Sequence, residues 1–386
     1  MTEAVAITPE IIAAAPAELS GERAVRAPPC PHVSVVMPVH NGMPYLPLAL
    51  DSILAQSFDY FEFIVVDDAS TDATAAVIAD YARRDRRIRV LTNARNLGIS
   101  GAINVGLEAS RGELIARMDA DDIAHPDRLR RQVAFLDTHP DHVVVGASCN
   151  FIDAAGRVTH RDLGRTAIED WELRWTGHFW TPLVHPTAML RASLVRQRGL
   201  RFDDHYRASQ DMDFFARALD AGKGCVLRER LLDYRWHNGN TSTVSYALQK
   251  RESCEIASHY LVTRYPLLEL RAALVNSLVG LLHRQGLAPR EPLLSVADTL
   301  ICIERQFLHA QHLSRRQQRR IQCLTACWLI WGVLQAGRLR PSVEILRLAW
   351  RARTYWAQLL LESVSIRGML FALDCVRRLM LARARS

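Results

Sequence analysis

Several features that would identify common protein classes are missing from this 386-residue sequence. Its eight cysteines include no C-x-x-C pair, and Cys323 and Cys327 have no histidines at zinc-binding spacing, so the thiols are interpreted as reduced and cytosolic. The longest apolar run, residues 323–336, has about 14 residues, whereas a membrane-spanning helix needs ~20. Residues 1–31 are rich in Ala, Pro and Glu, with Glu3 where a secretion signal would carry positive charge, so we expect a disordered leader.

Lysine is absent from residues 313–386, which contain 14 arginines and three acidic residues. This stretch carries +11 while the whole chain carries +7, so the basic excess is local. Residues 343–361 and 366–384 have the pattern of basic amphipathic helices, which suits an anionic membrane surface; packing on the rest of the chain or on a second subunit explains the pattern equally well. Nucleic acid is not predicted as a partner, because there is no recognised reading motif and no lysine-rich patch.

The chain length and the 49% apolar share predict a sizeable core and more than one domain. Residues 32–248 are expected to form one α/β domain, because strand-like and helix-like patterns alternate there. From residue 249 onward the sequence is rich in Leu, Ala and Arg and has no strand alternation. Residues 249–386 are therefore predicted to form a basic helical domain.

Strands and helices alternate in the first part of the chain. The predicted elements are strands at residues 32–39, 61–66 and 88–91 and a helix at residues 46–56. The turn signal Asn41-Gly42 follows the first strand, and residues 93–98 form a loop whose Asn and Gly permit tight backbone near a ligand. This βαβαβ order predicts an α/β fold with an open sheet.

Carboxylates follow two of the apolar strands. Asp67 and Asp68 end one strand, and Asp119, Asp121 and Asp122 come after another apolar run. Ligands of open α/β sheets bind outside the carboxyl ends of the strands, so both groups are expected to face one crevice. Hard divalent cations such as Mg²⁺ or Mn²⁺ bind carboxylate oxygens and share them with substrate phosphates, which indicates nucleotide-diphosphate chemistry. An isolated acidic triplet would instead be explained by helix capping.

Six motifs follow one another along the chain between residues 35 and 242. They are VVMPVHNGMPYL (35–46), VVDDASTD (65–72), LTNARNLGISGAINVGLEASRGELIARMDADDIAHPDRL (91–129), TPLVHPTAML (181–190), SQDMDFFARAL (209–219) and YRWHNGNTS (234–242). Over roughly residues 33–245 the chain resembles the family 2 glycosyltransferases, inverting nucleotide-sugar enzymes with an A-type glycosyltransferase fold. Two departures are Ala69, where the family usually has Gly, and Gln210, where Glu is more usual. Neither departure removes a carboxylate.

The resemblance implies a donor site at the carboxyl ends of the strands. Asp67 and Asp68 would lie near the nucleobase and ribose, where an ionised carboxylate can only accept hydrogen bonds. Asp119 would reach the ribose or a metal-bound water, and Arg235 would pair with diphosphate oxygens. The implied donor-binding residues are Pro38, Val39, Asn41, Asp67, Asp68, Asn96, Gly98, Asp119 and Arg235.

The resemblance also implies a metal site for Mg²⁺ or Mn²⁺. Asp121 would ligate the metal against the diphosphate, with Asp119 nearby. His237 would complete the metal shell, although a histidine beside Arg and Trp is often a partly buried residue satisfied by a neighbour. Asp122 is left with two explanations, a helix N-cap ahead of Pro126 or support behind the ligands.

Asp211 is the candidate general base. It opens a predicted helix whose Met212, Phe215 and Leu219 share one apolar face, so the first turn is expected to stay near the cleft. There it would take the proton of an attacking hydroxyl, a contribution of typically ~10²- to 10⁴-fold. The alternative is a first-turn partner of the helix dipole. Asp213 cannot share that face and is interpreted as a scaffold residue or an acceptor contact.

The resemblance implies that residues 32–248 are a glycosyltransferase catalytic domain. Together with the acidic residues, it predicts an inverting, metal-dependent transfer of a sugar from a nucleotide diphosphate, expected to be a UDP-sugar. The expected acceptor is a saccharide or a lipid-linked molecule at the cytoplasmic face of a membrane. A surface polysaccharide or similar glycan is the expected product. Residues 158–183, with Trp171, Trp175 and Trp180, are expected to select the acceptor, although three aromatics in a short segment are often core. His185 is expected to line the sugar or acceptor pocket. One alternative, a sugar-nucleotide nucleotidyltransferase, lacks its Gly-rich phosphate loop and Lys here; a catalytically silent binding module is the other.

Overall fold

The computed structural model describes residues 31–161, 169–240, 244–266, 272–282 and 293–337. The chain divides into two compact units, Met1–Gly177 with Thr181–Gln249, and His178–Trp180 with Lys250–Ser386. The predicted leader, apart from residue 31, and both predicted amphipathic helices at residues 343–361 and 366–384 lie outside the described residues.

The first unit begins with alternating strands and helices. They are β1 (Val33–Val39), α1 (Leu46–Leu54), β2 (Phe61–Asp67), α2 (Thr74–Arg84), β3 (Ile88–Thr92), α3 (Gly98–Ala109) and β4 (Leu114–Arg117). Strands β1, β2 and β4 are buried along their whole length, as expected for near-continuous apolar runs in a parallel sheet covered on both faces. Their parallel order, β3-β2-β1-β4, puts the carboxyl ends of β2 and β4 at one edge, as the sequence predicted.

The second part of this unit completes the sheet. Its elements are β5 (Ile123–Ala124), α4 (Arg128–Thr138), β6 (His142–Ile152), β7 (Val158–Arg161), α5 (Asp170–Gly177), a 3-10 turn (His185–Thr187), β8 (Met189–Arg191), α6 (Ala192–Arg198), α7 (Gln210–Ala221) and β9 (Lys223–Arg235).

The sheet changes direction beyond β4. Strand β8 is antiparallel to both β4 and β6, while β9 runs parallel to β6 and antiparallel to β5. The order over the described residues is β3-β2-β1-β4-β8-β6-β9-β5, with β7 paired to β6. The sequence patterns do not predict this half, because β5 and β8 have two and three residues and show no periodicity.

The close packing of α3 on the sheet depends on a small residue in the helix. A Cβ atom at Gly106 would lie 2.4 Å from Val36 Cγ1, so α3 packs on β1 at a separation that a larger residue would prevent. Met212, Phe215 and Leu219 of α7 are all buried, which confirms the predicted apolar face of that helix.

The second unit is helical where it is described. It contains most of α8 (Tyr246–Arg264), then α9 (Ala272–Leu282), α10 (Leu293–Ala310) and α11 (Arg315–Gly337). The segment His178–Trp180 belongs to this unit: His178 Nε2 lies 2.9 Å from Tyr265 Oη, and the rings of Trp180 and Trp328 are 4.7 Å apart. Among the described residues, a helix with the length and apolar content needed to span a bilayer is not found. An α/β sheet followed by helices confirms the predicted fold class.

Candidate active site

The short connection between β4 and β5 carries the acidic triplet, defined as Asp119, Asp121 and Asp122. Met118 continues the parallel pairing by donating its N–H to the Val36 carbonyl at 3.0 Å, and the chain then turns so that β5 can pair with β9. Because of this turn, one oxygen of each carboxylate in the triplet lies within 4.8 Å of the others. Three acidic oxygens thus meet at the carboxyl edge of the sheet.

Burial and repulsion between carboxylates oppose ionisation of Asp121 and Asp122. Burial raises the pKa of Asp121 and the Asp119 carboxylate raises it further, while His237 lowers it. Burial also raises the pKa of Asp122 well above its usual range, and Asp121 and Asp119 add to that shift. A cation relieves such repulsion, and oxygen-only donors suit a hard divalent ion. The residues present therefore fit Mg²⁺ or Mn²⁺.

Two buried arginines lie behind the triplet, and sequence reasoning misses both. Arg117 Nη2 lies 2.5 Å from Asp119 Oδ1, and its Nη1 donates to the Met118 carbonyl. Arg128 is fully buried and donates from Nη2 to the Arg117 carbonyl at 2.5 Å. Burial lowers the pKa of Arg128 to about 10, with the Asp122 carboxylate acting in the opposite direction. Arginine is mostly a surface residue, so nothing local in the sequence marks these two as buried.

Arg235, the last residue of β9, makes hydrogen bonds to the turn between β4 and β5. Its N–H donates to Asp122 Oδ1 and its Nε to the Asp121 carbonyl, each at 2.8 Å, and Nη1 donates to the Asp153 carbonyl at 3.1 Å. The residue is only 1% exposed, and its Nη2 is buried without a hydrogen-bond partner among the described residues. The predicted pairing of Arg235 with diphosphate oxygens stays a prediction.

His237 lies beside the triplet, with Nε2 2.9 Å from Asp121 Oδ2. Its predicted role as a metal ligand stays a prediction. The capping explanation for Asp122 is wrong, because α4 begins only at Arg128 with Asp127 at its N-cap position. Asp122 is instead buried and accepts the backbone N–H of Arg235.

Asp68 anchors the loop that leads into α3. Its Oδ1 accepts hydrogen bonds from Asn93 Nδ2 at 2.7 Å and from the Leu97 N–H at 2.9 Å, and its Oδ2 accepts the Gly98 N–H at 2.9 Å. The exposed Asn96 also accepts the Gly98 N–H through Oδ1 at 2.9 Å. The side chain of Asp68 therefore holds the loop in place, and its predicted contact with the nucleobase or ribose stays a prediction.

The other predicted donor residues surround the end of β1. Pro38 and Val39 are buried as its last two residues, and Asn41 follows with a positive φ of 52°. The Asn41 N–H donates to Ser70 Oγ at 3.0 Å, and Asp67 Oδ1 accepts the Ser70 N–H at 3.0 Å. The ends of β1 and β2 are thereby linked into one surface.

Asp211 is the second residue of α7 and is half-buried. Its Oδ1 accepts the N–H of Met212 at 2.9 Å, a local bond within the first turn. Asp213 pairs with Arg217 at 2.5 Å, in line with its interpretation as a scaffold residue. The role of Asp211 as general base stays a prediction.

The residues expected to select an acceptor are largely packing residues. Trp171 and Trp175 are buried on α5, and residues 162–168 before them lie outside the described residues. His185 is buried with its ring 5.2 Å from Phe202. Core packing, the alternative that the sequence left open for the tryptophans, explains Trp171 and Trp175, and His185 is likewise buried beside aromatic rings.

Comparison with known proteins identifies the family. The model of the family described as Glycosyl transferase family 2 matches residues 34–198. A putative glycosyltransferase of Bacillus subtilis, EpsE, is 36% identical over 208 residues, which are 53% of this chain and 73% of EpsE. The succinoglycan biosynthesis protein ExoO of Rhizobium meliloti is 31% identical over 216 residues, which are 54% of this chain and 61% of ExoO.

The fold has a counterpart among solved structures. A crystal structure of a fragment of S. aureus TarS in complex with UDP-GlcNAc has a TM-score of 0.53 at 17% identity, with 84% of this chain and 91% of that chain covered. At that identity the likeness concerns the fold alone. Together with the family match, it shows that this chain belongs to glycosyltransferase family 2 and has the A-type glycosyltransferase fold.

Proposed function

We propose that this glycosyltransferase is inverting and metal-dependent, and that it moves a sugar from a UDP-sugar to a saccharide or lipid-linked acceptor. The observation that carries the proposal is the acidic triplet, whose three carboxylates meet within 4.8 Å at the carboxyl edge of the sheet. Ligands of open α/β sheets bind at this edge. A second candidate function has no observation in its favour, since the chain has no Gly-rich phosphate loop with an accompanying Lys.

Asp121 and Asp119 would hold a divalent ion, Mg²⁺ or Mn²⁺, at the donor diphosphate. When bound, that ion supplies Lewis-acid stabilisation of the departing diphosphate, worth several kcal/mol. Arg117 keeps Asp119 in place through their 2.5 Å contact, and Arg235 donates hydrogen bonds to the Asp121 carbonyl and the Asp122 carboxylate. The protein therefore presents these carboxylates in a fixed arrangement, so little reorganisation is needed when the donor binds.

The nucleoside would lie along the ends of β1 and β2. Pro38 and Val39 offer a buried, rigid wall there, and Asn41 and Asp67 are tied together through Ser70. The loop that Asp68 anchors adds Asn96 and Gly98 to the same edge. This surface supplies several acceptors for the N–H of a nucleobase and the hydroxyls of a ribose.

Asp211 would deprotonate the acceptor hydroxyl. In one displacement, the acceptor oxygen forms its bond to the sugar C1 as the bond from C1 to the phosphate oxygen breaks. The proton passes to the Asp211 carboxylate, and the electron pair of the broken bond leaves with the diphosphate. Attack opposite to the leaving group inverts the configuration at C1, which is why one base is enough and no covalent intermediate is needed.

The acceptor class is proposed from the relatives and the charge pattern. The printed name of ExoO places that protein in succinoglycan biosynthesis, which supports a polysaccharide as the product here. The 14 arginines of residues 313–386 support a location at the anionic cytoplasmic face of a membrane, where lipid-linked acceptors are found.

Calorimetry with UDP, GDP, dTDP and CMP, with and without Mn²⁺, tests the proposal. We expect UDP to bind in a manner that requires Mn²⁺, and Asp121→Ala to weaken that binding about tenfold or more. Asp59→Ala is the matched control, because Asp59 has a side chain 83% exposed in the connection before β2. A folded wild-type protein that binds no nucleotide with Mn²⁺ would refute the proposal.

A further inference from the structure

A buried asparagine in the middle of α3 binds a distant part of the backbone. Asn104 Nδ2 donates to the Phe202 carbonyl at 2.8 Å, and its Oδ1 accepts the Phe202 N–H at 2.9 Å. One side chain thus pairs with both polar groups of one backbone residue, as a neighbouring strand would. Phe202 lies in the connection between α6 and α7, which has no helix or strand at this position. Asn104 therefore satisfies buried backbone groups that no regular element satisfies.

Residues 201–206, called the linking segment, are held by α3 at more than one place. Ser100, about one turn before Asn104, is also buried, and its Oγ lies 3.4 Å from the carbonyl oxygens of Asp203 and Tyr206. The Tyr206 N–H donates to the Asp203 carbonyl at 3.3 Å. Both halves of the linking segment are therefore in contact with α3.

The linking segment is also packed against α7. The rings of Phe202 and Phe214 are stacked, with centroids 3.9 Å apart and an interplanar angle of 4°. Arg217 Nη2 donates to the Arg201 carbonyl at 2.7 Å. Asp211 and Phe214 are three positions apart on α7, so they are neighbours on the helix surface. A shift of Phe202 would therefore be passed to the turn of α7 that carries Asp211.

Helix α3 is itself fixed to the proposed donor site. Its first residue, Gly98, donates its N–H to Asp68 Oδ2 at 2.9 Å. Gly106 packs so closely on β1 that a Cβ atom there would lie 2.4 Å from Val36 Cγ1. Asn104 lies between these two points of attachment. The helix that begins at the donor edge is therefore the one from which Asn104 holds the linking segment.

We propose that Asn104 is a positioning residue for sugar transfer, which sets the place of Asp211 relative to the donor by holding Phe202 against α7. The inference rests on the proposed function, in which Asp211 is the general base. Without the Asn104 amide, the N–H and the carbonyl of Phe202 would be buried and unpaired, so the linking segment would have to move. A misplacement of about 1 Å at the reacting groups can lower a rate ~10²-fold.

Hydrogen exchange of the full-length protein tests whether Asn104 holds α7. In Asn104→Ala, we expect exchange about tenfold faster or more at the amides of Phe202 and Phe214. The matched control is a variant of the buried Ile78 on α2, either Ile78→Val or Ile78→Ala, whichever has the same global loss of stability. Exchange at Phe214 that is equally fast in the two variants would overturn the proposal, because Asn104 would then contribute to stability alone.

Kinetics separate a role in catalysis from a role in donor binding. The reaction followed is the release of UDP from UDP-glucose, UDP-galactose or UDP-GlcNAc, with water as the acceptor. We expect Asn104→Ala to lower kcat about 10- to 100-fold while the affinity for UDP with Mn²⁺ stays close to that of the wild type. Phe202→Leu keeps both hydrogen bonds with Asn104 but removes the ring stacked on Phe214, and should lower kcat in the same direction. A wild-type kcat in Asn104→Ala would overturn the proposal.

A double-mutant cycle shows whether Asn104 acts through Asp211. If it does, the protein with both Asn104→Ala and Asp211→Asn should be no slower than Asp211→Asn alone. Losses that multiply in the double variant would overturn this inference and leave the base role of Asp211 intact. A wild-type kcat in Asp211→Asn would overturn the base role and this inference with it.

Discussion

Ala69 has a φ of 57°, a conformation that side chains with a Cβ rarely adopt. In an L-residue this region costs about 1–2 kcal/mol, whereas Gly adopts it freely and loses about 0.5–1 kcal/mol through chain entropy. We therefore expect Ala69→Gly to raise the free energy of unfolding by about 0.5–1 kcal/mol. Chemical denaturation measures the change.

The φ angle of Ala69 bears on one of the two departures from the family pattern. The family usually has Gly at this position, and Gly adopts such a φ angle without strain. A lower or unchanged stability in Ala69→Gly would mean that the Ala69 methyl group makes a compensating contact. Ala79→Gly, at an exposed position in the middle of α2, is the matched control and should be destabilised by about 1 kcal/mol.

Asp211→Asn should reduce turnover at least ~10²-fold, because an amide cannot take the proton of the acceptor hydroxyl. The affinity for UDP with Mn²⁺ should stay close to that of the wild type, since the base acts on the acceptor. Steady-state kinetics and calorimetry measure the two quantities separately. Asp220→Asn, at an exposed position near the end of α7, is the control, and similar losses of turnover in both variants would contradict the assignment.

At the scale of elements, one carboxylate fixes the start of α3. Asp68 accepts three hydrogen bonds from the loop that precedes this helix, two of them from the backbone at Leu97 and Gly98. In Asp68→Asn, one oxygen is replaced by an NH₂ group that would face a donor. We expect a loss of about 2–4 kcal/mol in stability and faster hydrogen exchange at the Leu97 and Gly98 amides. An Asn variant with wild-type exchange rates would show that the loop is held by other contacts.

The hydrogen bonds at the acidic triplet show how much of the site the sequence predicts. Strand periodicity and the position of the acids after β2 and β4 are local patterns, and they predict the carboxyl edge where the triplet gathers. The contacts of Arg235 with Asp121 and Asp122 join residues more than a hundred positions apart. Such contacts depend on the pairing of β5 with β9, which involves a strand of only two residues. Local pattern therefore gives the positions of the acids, and tertiary structure decides which arginines support them.

At the scale of the whole molecule, the stability of the folded protein depends on pH through buried ionisable groups on different elements. Burial alone would raise the pKa of Glu62, on β2, but hydrogen bonds from Ser34, Arg111 and Arg89 leave it below its usual value. A carboxylate with a lowered folded pKa contributes stability above its unfolded pKa and loses it as the pH falls through the folded pKa. This loss is therefore confined to pH values below about 4.3.

His185 acts in a different pH range. Burial, reinforced by the charge of Arg117, lowers the pKa of this histidine well below its usual value. The unfolded chain binds its proton at about pH 6.5 while the folded protein does not, so stability falls as the pH drops below that value. The slope for one such group is about 1.4 kcal/mol per pH unit. The raised pKa of Asp122 acts in the opposite sense, because it stabilises the folded protein as the pH falls.

A comparison with His185→Phe isolates the histidine, because Asp122 contributes to both proteins. Phe suits the site, where the aromatic rings of Phe202 and Phe215 already lie 5.2 and 5.9 Å from the imidazole. As the pH falls from 6.5 to 5, we expect the wild type to lose about 1.6 kcal/mol relative to the variant, with a slope that approaches about 1.4 kcal/mol per pH unit towards pH 5. Urea denaturation in metal-free buffer at several pH values measures the difference. Parallel stability curves would mean that His185 takes up its proton equally in the folded and unfolded protein, and a buried cation beside Arg117 would then need an anionic partner.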